Sequence, residues 1–143
     1  MRRAPIALSD DAGFTLVELL VVMVIIGVLA AIAIPVLLTQ RAKAHDTSTK
    51  ADVSSVGKEI ATYFVDGTGT LSLDFATTGS VVIADGTSYA TTVNLTNGTA
   101  RPTSGVSANL GDADSWCVAL TDPKGAVQEY RYRAMSGLEE GTC

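Results

Sequence analysis

One carboxylate, Glu18, stands inside an otherwise uncharged apolar run over residues 16–38, and a charge at membrane depth is costly unless it is paired or neutralised. It is the residue that most needs a chemical partner. Two cysteines, Cys117 and Cys143, fit one disulfide if their domain lies on the oxidising side of a membrane. With the single His45 they are too few for an evident metal site. Tyr130, Arg131, Tyr132 and Arg133 alternate, which on a strand turns the tyrosines to one side and the arginines to the other. Water-facing arginines could meet nucleic-acid phosphates, but a core face backed by a solvated face is the commoner cause, and Glu129 dilutes the arginine side. Asp112 and Asp114 beside Ser115 offer two carboxylates where a hard cation wants six to eight oxygens, so they read as loop. Asn94-Leu95-Thr96 and Asn97-Gly98-Thr99 match the N-glycosylation pattern, a weak signal. His45, next to Asp46, reads as a solvated helix residue. No nucleophile stands with a base and no glycine loop cradles phosphate, so the residues call for no enzyme, no cofactor and no metal.

The elements that position these residues begin with the apolar run. Residues 19–38 are twenty residues without a charge, and a helix of that length covers roughly 30 Å, the thickness of a bilayer's hydrocarbon core. A signal peptide's apolar region is shorter, about 7 to 15 residues, and ends in a small-residue cleavage site. Here the run passes directly into a charged helical continuation, so the span is retained. The chain is 47 % hydrophobic and 17 % charged over 143 residues, with a formal charge of −5, and most of the excess apolarity sits in this one block. Beyond residue 60 four basic residues face nine acidic ones, which argues against direct nucleic-acid binding.

Past the span the helical pattern continues. Val53, Val56, Ile60 and Phe64 line one face, and Asp46 with Lys50 reads as an exposed pair at i, i+4. A helix from residue 14 to about residue 65 is roughly 75 to 80 Å long, far more than a bilayer requires, so its second half must pack on something else. Pro35 removes a backbone donor inside it and Gly27 is a second soft point, which predicts a bend or a locally melted turn. Residues 66–70 stop the helix. Strands are expected at residues 81–84, 89–95, 116–121 and 127–134, with turns at Asp85-Gly86, Asn97-Gly98 and Pro123-Lys124-Gly125. Residues 99–114 read as a loop.

The stretch Gly13-Phe14-Thr15-Leu16-Val17-Glu18, leading through an uncharged run to Pro35, resembles the processing site and N-terminal helix of type IV pilins and the related pseudopilins. The resemblance covers residues 13 to about 65 and implies that a prepilin peptidase cuts between Gly13 and Phe14, after which the Phe14 amine is N-methylated. Glu18 is then implied to compensate the N-terminal charge of a neighbouring subunit. Asp10 and Asp11 offset Arg2 and Arg3 in the leader, and Arg41 and Lys43 flank the far end of the span, so charge alone scarcely orients it.

What the resemblance implies is an α+β pilin fold: a long N-terminal helix, membrane-spanning in its first half, packed against a small antiparallel β-sheet. Its parts are a cleaved leader (1–13), a transmembrane and filament-core half-helix (14–38), an amphipathic half-helix (39–65) and a globular β-rich domain (66–143). Glu18, Pro35 and Gly27 are its assembly residues. A Cys117–Cys143 disulfide would close a 27-residue loop and stabilise the domain by about 3 to 4 kcal/mol. Copies of the chain, the prepilin peptidase, an assembly-platform protein, its ATPase and the membrane are the implied partners. The precursor is expected in the cytoplasmic membrane, N-terminus inward, and the product in an extracellular filament serving adhesion, motility or DNA uptake. A type II secretion pseudopilin is the alternative, and a membrane-anchored binding module a third.

Overall fold

The computed structural model describes residues 13–67, 69–75, 79–102 and 108–143. The leader residues 1–12, Thr68 of the helix-stopping turn and residues 103–107 of the expected loop lie outside that set. The chain is α+β and divides into two compact units, Met1–Leu37 and Leu38–Cys143. One helix, α1 (Leu16–Asp66), contributes to both.

In the first unit the helix is apolar on all sides. Every large hydrophobic residue of 16–38 is exposed, from 47 % at Val21 to 78 % at Leu16, and the stretch is long and apolar enough to cross a membrane. In the single chain Gly27 and Pro35 both lie inside the continuous helix Leu16–Asp66, to which Pro35 donates no N–H. The single chain keeps the helix because one missing N–H leaves the bonds on either side intact.

In the second unit the rest of α1 packs on seven antiparallel strands. β1 (Ser72–Asp74), β2 (Ser80–Ala84) and β3 (Ala90–Asn94) form one sheet in that order; β4 (Ala108–Asn109), β5 (Cys117–Thr121), β6 (Glu129–Arg133) and β7 (Gly137–Glu140) form a second. Val53, Val56, Ile60 and Tyr63 of the helix meet Val81 and Ile83 of β2, Val118 and Leu120 of β5 and Tyr130 of β6 in one buried cluster. The tyrosines of β6 turn to that core, whereas Arg131 binds Glu139 of β7 at 2.8 Å.

The four expected strands are present, but there are two sheets and not one, and three further strands. β1 and β4 have three residues and two, too short for a period to show, and Ala100 also bridges to Thr121 within the segment read as loop. β7 reads Gly-Leu-Glu-Glu, poor in strand formers, and is held by pairing with β6 and by the Arg131–Glu139 contact. The expected last strand starts two residues late because the Val127 N–H leaves the ladder for Asp46. Close approach of helix and sheet is set by Gly57, where a Cβ would lie 2.6 Å from Cγ of Tyr132.

Candidate functional site

Gly13, Phe14 and Thr15 precede the helix. Phe14 is 83 % exposed, and a side chain at Gly13 would meet open space. Thr15 caps the helix: its hydroxyl accepts the Glu18 N–H at 3.3 Å, while a Glu18 carboxylate oxygen accepts both the Thr15 N–H and its hydroxyl at 2.9 Å. This reciprocal arrangement is a capping box, which satisfies the otherwise orphaned donors at a helix start. Glu18 therefore already holds hydrogen-bond donors within its own chain, one of them the N–H of the Phe14–Thr15 peptide bond. The sequence reading placed Phe14 on the helix one turn before Glu18; the helix instead starts after the cap. The signal was present in Thr15-Leu16-Val17-Glu18, a Ser/Thr-x-x-Glu pattern ahead of an apolar run.

Three contacts fasten the second half of α1 to the loops that follow β3 and β5. The carboxylate of Asp52 accepts the Thr96 N–H at 2.8 Å and the Thr96 hydroxyl at 3.1 Å. That of Asp46 accepts the N–H groups of Ala126 and Val127, both at 3.2 Å. His45 Nδ1 lies 2.7 Å from Asp122 Oδ2. Asp46 is thus buried, and Lys50 lies over the Tyr130 ring at 4.9 Å, so the expected exposed Asp46–Lys50 pair does not form. His45 is likewise not a freely solvated residue: its partner Asp122 is only 1 % exposed. In both cases the sequence lacked the long-range partner. Thr49, a turn beyond His45, spends its hydroxyl on the His45 carbonyl.

A disulfide joins Cys117 on β5 to Cys143, with Cα atoms 5.8 Å apart. Arg131 Nη1 donates to the Thr142 carbonyl at 2.8 Å and Gly141 N–H to the Glu129 carbonyl at 2.9 Å, so the last residues are fastened to β6 as well. A hydrogen bond from Ser136 and the Arg131 guanidinium draw the Glu139 carboxyl below its ordinary range. Burial, with the Asp46 and Glu140 carboxylates, pushes the Tyr130 phenol above its own. Among the described residues no group of three or more His, Cys, Asp or Glu is arranged to hold a metal ion. Of the two glycosylation patterns, Thr96 spends its hydroxyl on Asp52 and Thr99 is buried.

Glu18 belongs to the first unit, a capped apolar helix whose large side chains are exposed, and the disulfide belongs to the second, a cross-linked α+β domain. Residues 8–34 match the family model of the prokaryotic N-terminal methylation motif. Over 115 residues the chain is 36 % identical to a type IV wide pilus major component of Thermus thermophilus, covering 69 % of this chain and 88 % of that protein. It is 36 % identical over 57 residues to the type II secretion system core protein G of Pseudomonas aeruginosa, 40 % of each chain. It is 37 % identical over 60 residues to the protein of the same name from Escherichia coli, 42 % of this chain and 41 % of that one. The chain thus spans about two fifths of the secretion proteins it matches. No solved structure matches it significantly.

Proposed function

The chain belongs to the type IV pilin and pseudopilin superfamily, and from that premise we propose that it is a structural subunit polymerised through its N-terminal helix into a type IV pilus. One observation carries this reading: over residues 16–38 the helix has an apolar surface that its own chain leaves uncovered. Apolar surface of that extent must be covered by lipid or by other protein. At about 25 cal/mol per Å², covering on the order of 1,000 Å² is worth tens of kcal/mol relative to water. Withdrawal from the membrane therefore requires cover by other protein, which a bundle of like helices supplies.

The methylation motif over residues 8–34 supports the steps of processing and assembly. Residues 1–13 serve as a leader, and the precursor sits in the cytoplasmic membrane with that leader inward. Prepilin peptidase cuts between Gly13 and Phe14, and the new Phe14 amine is methylated. An amine held one residue from the Thr15 N–H would draw Glu18 out of its cap, and in a staggered bundle the same carboxylate answers the amine of a neighbouring copy. Pro35 and Gly27 are where the helix gives way when copies pack. A platform protein and its ATPase supply the work of extraction, and the reading assigns no catalysis to this chain.

A second reading is a pseudopilin of type II secretion, favoured by the identity to the two core G proteins. The alignment over 88 % of the wide-pilus component places the filament subunit first. The test is mass spectrometry of protein sheared from the cell surface, without reduction. A mass beginning at methylated Phe14, less two hydrogens for the disulfide, is the expected result. Protein confined to membranes with Met1 or Arg2 still attached would overturn the proposal.

A further inference from the structure

The segment that leaves β3 carries the dipeptide Asn97-Gly98 in a tight turn. The Thr99 N–H donates to the Thr96 carbonyl at 2.9 Å, and Gly98 takes a φ of 111°. Turns of this form call for glycine at that position, and a Cβ there would lie 2.8 Å from Asp122 Oδ2. The fold thus requires glycine after Asn97. Asn97 is exposed, and among the described residues neither its side-chain amide nor the Gly98 N–H makes a hydrogen bond.

Asparagine is chemically labile, and one followed by glycine can modify itself. The backbone nitrogen of the next residue attacks the side-chain Cγ, loses its proton and expels the side-chain nitrogen as ammonia. Water then opens the cyclic imide, at one carbonyl to give aspartate or at the other to give isoaspartate, which adds a methylene to the main chain. The reaction needs a small following residue, a nitrogen not held elsewhere and an uncharged carbonyl group to attack. Related pairs in this chain each lack one of these. At Asp66-Gly67 the Gly67 N–H is held by the Tyr63 carbonyl at 2.8 Å. At Asp85-Gly86 the Thr87 N–H, with those of Tyr89 and Ser88, pulls the carboxyl down to about 2, and the resulting carboxylate resists a nucleophile. Asn94 and Asn109 are both followed by leucine, whose side chain crowds ring closure. The Leu95 N–H is moreover held by the Gly79 carbonyl at 2.8 Å.

We propose that Asn97 is a self-deamidating site, and that its conversion to aspartate or isoaspartate releases the segment after β3 from α1. The consequence follows from its two neighbours. Thr96, on one side, is held through its N–H and hydroxyl by the buried Asp52 carboxylate. Gly98, on the other, lies against the Asp122 carboxylate, whose side chain is 1 % exposed. Deamidation therefore puts a new negative charge between two carboxylates shielded from water, where like charges repel more strongly than in solution. Isoaspartate also lengthens the turn that aims the Thr96 N–H at Asp52. The change is irreversible and consumes only water, so it records the age of a subunit, whether or not that subunit polymerises.

The test is ageing of the full chain in detergent micelles at mildly alkaline pH, with a urea-unfolded sample alongside to set the interval. Peptide mass spectrometry, with fragmentation that separates aspartate from isoaspartate, reads the product. The expected result in the folded chain is the amide-to-acid mass shift at Asn97 and none at Asn94 or Asn109. Amide hydrogen exchange of the aged chain then reads the release. Protection of the Thr96 amide should fall about tenfold relative to that of Val118 in β5, the equivalent of losing one hydrogen bond to a charged group. Asn97→Asp should show the same loss without ageing, and Asn97→Gln, whose longer side chain closes a ring far less readily, should keep both its mass and its Thr96 protection. A folded chain still intact at Asn97 when the unfolded one has shifted overturns the site. An equal shift at Asn94 overturns its selection by the structure, and a shift at Asn97 with Thr96 protection unchanged overturns the release. If Asn97→Asp does not fold, the aged wild type carries the same readout.

Discussion

Removing the Asp52 carboxylate should loosen the strands from the helix by an amount the geometry sets. Asp52 is 7 % exposed and binds Thr96 twice, through its N–H and its hydroxyl. Hydrogen bonds to a charged acceptor are worth about 1.5–3 kcal/mol each net of water. The Thr96 hydroxyl recovers water in the variant because the residue is exposed, so the two contributions do not add in full. Asp52→Ala is therefore expected to cost about 2–4 kcal/mol. Asp52→Asn keeps an oxygen for the Thr96 N–H and turns an amide N–H towards a hydroxyl that can accept it, so it should cost about 1 kcal/mol. Against a domain stability of about 5–15 kcal/mol the first loss is large and the second small. Trp116 is the chain's one tryptophan and is 3 % exposed. Its fluorescence during urea unfolding of the full chain in micelles reads both variants. Equal losses for alanine and asparagine, or an alanine variant within about 0.5 kcal/mol of wild type, the range of an uninvolved surface position, would refute this account of Asp52.

Gly57→Val forces a side chain into the Tyr132 ring, which stacks on Trp116 at 5.9 Å; overpacking of about 1–3 kcal/mol should lower Tm and shift Trp116 emission, and unchanged emission would count against the contact. Replacing Cys117 and Cys143 together by serine reopens a loop of sequence separation 26, with an expected loss of about 3–4 kcal/mol; a variant as resistant to urea as wild type would show the cross-link to be dispensable. The Asp85 carboxyl is drawn down to about 2 by the Thr87 N–H, aided by those of Tyr89 and Ser88. A depressed carboxylate stabilises above its unfolded value of 3.8 and loses that contribution as pH falls towards 2. Asp85→Asn should flatten the acid limb of the stability profile in that window, and an acid limb parallel to wild type would remove Asp85 from it.

Much of the fold was legible because its signals are local. Twenty uncharged residues mark a span, the 53-56-60 spacing marks a buried helix face, and Asp85-Gly86 marks the turn from β2 to β3, where Gly86 takes a φ of 75° and Asp85 accepts three successive amides. The capping box of Thr15 and Glu18 was equally local and could have been read, since both partners lie within one turn.

The fastenings between helix and strands were not legible, for a different reason. His45 meets a residue 77 positions away, Asp46 residues 80 and 81 away, and Asp52 a residue 44 away. Nothing near an aspartate in sequence announces which loop will bring it an N–H. Periodicity offered one clue: Asp46, Thr49 and Asp52 continue the buried stripe of Val53, Val56 and Ile60 at helical spacing. A polar residue on such a stripe must be hydrogen-bonded, because burial without a partner costs several kcal/mol. Extending the buried face through its polar members predicts that loops donate there, and that is where loops of the second unit hold that unit's own stretch of the helix. The face changes character along α1. Exposed apolar residues over 16–38 await cover from outside the chain, a polar buried stretch over 45–52 holds loops, and an apolar buried stretch over 53–63 holds sheets. Substitutions in the first stretch should therefore act on assembly, and those in the other two on the stability of the single chain.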